Sequence, residues 1–190
     1  MTRELRWRIV SLQAILVLVL GFCAGFLFWG SSFINGMVHD ELVAQKIFFP
    51  PPSEIKPGGA LDPATFSAEI RSYAGQQVDT GDKARVYAND FIAVHLDEVA
   101  NGQTYSQVSA ASLANPTNVA LAAQANTLFR GETLRGLLLN TYGWSQVAMY
   151  AFYAAIGLTV AAIAVLGALV FELVRAPRRE RAEEREPTLA

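Results

Sequence analysis

The sequence predicts an all-α fold, with two transmembrane helices extended as stalks into a small extracytoplasmic helical bundle. Three observations carry that prediction. First, two long stretches hold no charged residue, Ile9 to Val38 and Leu137 to Phe171. Each exceeds the roughly 20 apolar residues that a helix needs to cross a hydrocarbon core of about 30 Å. Second, arginines flank these stretches on their far sides: Arg3, Arg6 and Arg8 before the first, then Arg175, Arg178, Arg179, Arg181 and Arg185 after the second. Third, the segment between them, His39 to Arg135, has seven basic and eleven acidic residues. Lys and Arg are retained on the cytoplasmic side of a membrane, so both termini are expected in the cytoplasm and the middle outside. The expected boundaries are a cytoplasmic N-terminus over 1–8, a first span over 9–33, an extracytoplasmic domain over 34–143, a second span over 144–171 and a cytoplasmic tail over 172–190.

Composition narrows the class further. Charged residues make up 17% of the chain, below the roughly 25% typical of soluble domains, and the deficit falls on the two spans. A net charge of −2 gives no basis for a nucleic-acid partner. The first apolar run is longer than the roughly 7–15 residues of a signal-peptide core, so an uncleaved anchor is expected. Cys23 follows Phe22 rather than the small residue that a lipidated cysteine requires. It is the single cysteine, so no internal disulfide staples the outer domain.

The first helix should start near Glu4, pass Trp29 and Phe33 at the interface, and continue through Met37, Val38, Glu41, Leu42 and Lys46. Pro50, Pro51 and Pro52 should end it, because proline denies the preceding residue a helical conformation. An extended linker from Phe49 to Gly59 follows. Asp62 and Pro63 read as the cap and first residue of a helix carrying Phe66, Ile70 and Tyr73, which stops near Gly75. A helix of about five turns is expected from Asp82, ended by Asn101-Gly102. Another is expected from a Thr104 cap to Leu113. Asn115-Pro116 should then open a last helix that runs without a stop into the second span, with Gly131, Gly136 and Gly143 weakening it locally. Tyr142, Trp144, Tyr150 and Tyr153 would form an aromatic belt. The Arg- and Glu-rich stretch from Arg175 to Ala190 is expected to be disordered or a frayed helical end.

Few residues carry candidate chemistry. Asp79-Thr80-Gly81 spells an aspartic-protease triplet, but that chemistry needs two carboxylates sharing a proton, and a single copy before a helix reads as a turn. His95 and Glu98 share a helix face and, with His39 and Asp40, make a conceivable metal set. A site needs three or four ligands, and solvated helix residues are the simpler reading. There is no phosphate-cradling glycine loop and no redox cysteine pair, so no cofactor is expected. The span centres hold no ionisable side chain, which disfavours a pump or transporter acting alone.

The spans do carry small residues. Gly21 and Gly25 form a GxxxG, and Gly157 with Ala161, then Ala164 with Ala168, continue the pattern on the second span. Such faces let helix backbones approach closely. They either pack the two spans together or dock another membrane protein. Arg130, Glu132 and Arg135 are the charged residues just before the second span. They either pair with the acidic outer domain or dock a partner.

Val86-Tyr87-Ala88, then Ile92, His95 and Leu96, then Gly102-Gln103-Thr104-Tyr105, and the run Thr127 to Leu134 leading into the last span carry a family resemblance. The chain resembles a group of small two-span actinobacterial membrane proteins of uncharacterised function. Members of that group often bear the name aromatic ring-opening dioxygenase. Such chemistry needs iron ligands in an open site, which two histidines without a third ligand do not supply. The resemblance implies the topology and a bacterial inner-membrane location, not an activity.

Together these readings lead to the expectation of a non-catalytic accessory or scaffold subunit of a larger membrane complex, respiratory or envelope-assembly. Its partners would be the lipid bilayer and other integral membrane proteins. The alternative is an extracytoplasmic ligand- or lipid-binding module with an apolar pocket lined by Phe66, Tyr73, Tyr87 and Phe91. A third reading is a metal-dependent enzyme using His39 and His95.

Overall fold

The structure, a computed structural model, describes residues 3–183, with side chains described over 4–174. Those residues are all-α. The one extended pairing among them is an antiparallel bridge between Phe48 and Gln77. The helices are α1 (Arg3–Gln45), α2 (Ala68–Ser72), α3 (Gly81–Val86), α4 (Ala93–Ala100), α5 (Tyr105–Ala114) and α6 (Val119–Glu183). The chain divides into two compact units. The span unit takes residues up to Ser32 and from Met149 onward, and the middle unit is Phe33–Ala148.

In the span unit, α1 and α6 are both long and apolar enough to cross a membrane. Of its described residues, only Ala24, Ser31 and Ala155 are buried. Large apolar side chains point outward instead, with Phe22 75% and Leu18 72% exposed. Contiguous apolar surface of this extent is not maintained against water and marks a lipid- or protein-facing region. Phe28 and Phe152 meet edge to face with centroids 5.6 Å apart.

The middle unit begins with the end of α1. The helix stops at Gln45, ahead of the proline run expected to end it, because Lys46 turns left-handed (φ 53°) and its N–H bonds to Val43 O. The chain then pairs back on itself: Phe49 N–H donates to Gln76 O (2.9 Å) and Val78 N–H to Ile47 O (2.9 Å). The expected extended linker is interrupted by one 3₁₀ turn, Pro52–Glu54.

Two expected helix starts lie elsewhere. Asp62 does not cap α2. Its carboxylate accepts from Gly58 N–H (2.6 Å) and Ala64 N–H (2.9 Å), which closes a tight turn. These two bonds hold its pKa below the usual carboxylate value. Ser67 caps α2 instead, accepting from Ile70 N–H, and the helix lasts only to Ser72. Likewise Asn115-Pro116 closes α5 rather than opening α6. Asn115 Nδ2 donates back to Ala111 O (2.9 Å), and Asn118 Oδ1 accepts from Leu121 N–H (3.1 Å) at the start of α6. Asn and Asp satisfy local backbone groups equally well in turns and caps, so residue type alone does not decide between the positions.

The five-turn helix expected from Asp82 is present as Gly81 to Ala100 with an interruption. Thr80 caps it through Lys83 N–H, and Asn101 (φ 53°) and Gly102 (φ 74°) end it. Its middle, Tyr87–Ile92, is a π-helix. The α5 start is as expected, with a full capping box between Thr104 and Gln107. The backbone of α6 remains helical to Glu183, and residues 184–190 of the expected tail lie outside the described residues.

The middle unit has a true core. Leu42, Phe49, Leu61, Ile70, Val78, Val86, Val108, Leu128 and Leu138 are buried. Three glycines leave no room for a Cβ, Gly59 in a turn against Glu54 O and two in helices. A Cβ on Gly81 would lie 2.0 Å from Ser145 Oγ and 2.4 Å from Ser145 Cβ, and one on Gly131 would lie 2.3 Å from a Leu96 methyl. Gly131 is thus the space that Leu96 occupies, and not merely a weak point in a helix.

Candidate functional site

Each residue singled out above has a definite place. In the Asp79-Thr80-Gly81 triplet, the Asp79 carboxylate pairs with Lys83 Nζ (2.9 Å) and its carbonyl accepts from His39 Nδ1 (3.0 Å). Thr80 is a helix cap and Gly81 a packing contact, so the triplet serves as the entry to α3. His95 donates from Nδ1 to Phe91 O (2.9 Å), and its ring stacks against Phe91 at 4.4 Å and Phe66 at 5.7 Å. Among the described residues, no group of three or more His, Cys, Asp or Glu side chains is placed to hold a metal ion, so His39, Asp40, His95 and Glu98 do not form the conceived set.

The four aromatics expected to line an apolar pocket pack on one another. Phe49 stacks on Tyr73 (5.5 Å) and meets Tyr87 edge-on (5.2 Å), Tyr87 lies 5.0 Å from Phe91, and Phe91 lies 6.0 Å from Phe66. Ring pairs at these separations add favourable quadrupole contacts to the burial itself. Burial also raises the pKa of the Tyr87 hydroxyl above its usual value. Beside this cluster, burial works against the charge on Arg85. The hydrogen bond and charge of Glu69, with a smaller contribution from Asp90, outweigh it and raise the pKa.

The small residues of the spans divide into two groups. Gly21 and Gly25, with Val17, Ala24 and Phe28, line an apolar groove of about 280 Å³ whose far wall is Thr159, Ala162, Ile163 and Leu166. Gly157, Ala161, Ala164 and Ala168 do not line it. Gly157, Ala164 and Ala168 are exposed and Ala161 is half-buried. A Cβ added at Gly21, Gly25 or Gly157 would meet nothing within 4 Å. The α1 glycines therefore face α6 without touching it, while the α6 set faces outward. Spacing reveals that such residues share a face, but not which face a neighbour covers.

Of the charged residues that precede the apolar stretch of α6, Arg130 is exposed. Arg135 reaches Glu132 (Nη1 to Oε2, 3.4 Å) and donates from Nη2 to Asn89 Oδ1 (3.2 Å). Its Nε is buried without a partner. The pairing is thus with the adjacent turn of α6 and with the π-helix. Hydrophobic periodicity did not signal the π-helix, because the helical segments on either side of it, Gly81–Val86 and Ala93–Ala100, are each too short to fix a face.

No family model, curated protein or solved structure matches the chain.

Proposed function

We propose that this protein is a non-catalytic accessory or scaffold subunit of a larger bacterial inner-membrane complex, respiratory or envelope-assembly. In this reading α1 and α6 cross the membrane with both termini in the cytoplasm, and the middle unit stands on the extracytoplasmic face as a small bundle. The small two-span actinobacterial proteins that the chain resembles would share this topology.

The observation that carries the reading is the outward small-residue face of α6. Gly157, Ala164 and Ala168 recur at spacings that keep them on one side of a helix, and all three are exposed. Lipid contact does not require small residues, whereas close helix–helix approach does. The face is therefore better matched to another protein's helix than to acyl chains. The distribution of charge along the chain supports the topology, since basic residues flank both apolar stretches and the segment between them is acidic.

The test is purification of the full chain from its native membrane in mild detergent, alongside a Gly157→Leu, Ala164→Leu double variant. The expected result is a stoichiometric integral-membrane partner with the native chain and its loss with the variant, which still inserts and folds. Recovery of the chain alone, or an equal partner yield from both, would overturn the proposal.

A further inference from the structure

Where α4 turns back into α5, a cleft of about 260 Å³ opens in the middle unit. Leu96, Asp97, Gln103, Tyr105, Glu132 and Arg135 line it. This volume is just under the roughly 300–1,000 Å³ of drug-sized pockets, which suits a small ligand. The walls come from three firm structures: α4 with its left-handed exit at Asn101, the boxed start of α5 at Thr104, and α6.

The cleft holds opposite charges whose bonding is incomplete. Asp97 uses its backbone carbonyl to accept from Gly102 N–H (3.1 Å), but its carboxylate has no hydrogen bond or ion pair among the described residues. Arg135 Nε is buried with no acceptor. The Arg135–Glu132 contact of 3.4 Å is long beside the roughly 2.7–2.9 Å of a good charge-assisted bond, so an incoming anion can displace it. The other end of the guanidinium is fixed by Asn89 in the π-helix, and π-helical turns occur frequently at functional sites. Buried polar groups in folded proteins are nearly always paired, which singles out the Arg135 Nε, while the exposed Asp97 carboxylate is open to water and to a ligand. Here a guanidinium with weakly held bonds and a carboxylate without a protein partner line one small cleft.

We propose that this cleft binds a small zwitterion of the α-amino acid type, with its carboxylate on Arg135 and its ammonium on Asp97. Two carboxylates against one guanidinium leave the cleft negative, which favours a cationic side chain such as that of lysine. Leu96 and Tyr105, whose ring rests on Phe129 at 5.8 Å, give the aliphatic stem an apolar wall. This site is separate from the outward face of α6 and does not depend on the chain having a membrane partner.

The experiment is calorimetric titration of the full chain in detergent micelles with L-lysine, with L-glutamate, and with lysine whose α-amino and α-carboxyl groups are both blocked as amides. The blocked form keeps the side-chain ammonium and removes the α charges. Lysine is expected to bind, with glutamate and blocked lysine each weaker by about tenfold or more, as loss of one charge-assisted contact implies. Asp97→Asn, at an exposed position that contributes nothing to the core, should weaken lysine by a similar factor without changing the melting temperature. Arg135→Gln should do so too, and it serves as a second arm because Arg135 also braces Asn89. No heat with lysine up to about 10 mM would overturn the proposal. So would equal binding of blocked lysine, or native-like lysine binding by the Asp97→Asn chain.

Discussion

Close-packed glycines occur in the middle unit and not in the span unit. In the middle unit Gly81 and Gly131 are pressed against Ser145 and Leu96, and neither position has room for a methyl group. In the span unit Gly21, Gly25, Gly157 and Gly167 face open space. The same residue type marks a closed contact at some positions of the middle unit and at none of the span unit. The middle unit satisfies itself through a buried aromatic core, capped helices and a short pairing of residues 47–49 with 76–78. The span unit buries almost nothing and leaves its large apolar side chains exposed.

The comparison can be broken most forcefully at Phe49, which is 2% exposed between Tyr73 and Tyr87. Phe49→Ala should destabilise the middle unit by about 3–5 kcal/mol, the cost of emptying a large aromatic site, measured by thermal unfolding in detergent. A loss below about 1 kcal/mol would mean that the aromatic cluster is not the core. Gly81→Ala should cost about 1–3 kcal/mol by overpacking, and Ser145→Gly in the same chain should restore part of it. Gly25→Ala sharpens the contrast from the other side. With nothing near the added methyl, stability should hold or rise by up to about 1 kcal/mol from better helix propensity, and a clear loss would show that the first span is tightly covered.

The smallest effect concerns pH. The Tyr87 hydroxyl is held neutral by burial, so its folded pKa lies above its unfolded value of 10.0. Its contribution is complete below that value and is lost as pH rises through the folded pKa, because the unfolded chain releases the proton first. Tyr87→Phe should flatten the alkaline limb of a stability profile. An unchanged limb would place the titrating group elsewhere.

Much of the architecture was legible in the sequence because its signals were long or chemically unambiguous. Thirty uncharged residues from Ile9 to Val38 admit few alternatives to a long apolar helix. Thr104 with Gln107, and Asn101 with Gly102, are cap pairs whose chemistry matches their geometry. The failures came where one residue type serves two purposes. Asp62 and Asn115 looked like helix caps, yet their side chains complete turns, and Ser67 and Asn118 do the capping a few residues later. The candidate sites were harder still. The sequence singled out Glu132 and Arg135, but not that Asp97 lines the same cleft, because that depends on where α4 turns into α5. The small residues of the second span were found by spacing, and only the structure separated the exposed ones from Ala155 and Ala162.

The π-helix at Tyr87–Ile92 acts as a phase offset built into one continuous rod. A turn there holds more than the usual 3.6 residues, and each residue in a regular helix advances the face by about 100°. Deleting a single amino acid between Tyr87 and Ile92 would let the rod relax to regular pitch and would rotate α4 relative to α3. Asp97 would swing off its side of the cleft while Arg135 stayed in place. A chain shortened by one residue here would thus keep its helices and lose their alignment, which makes this short turn less tolerant of length change than the loops around it.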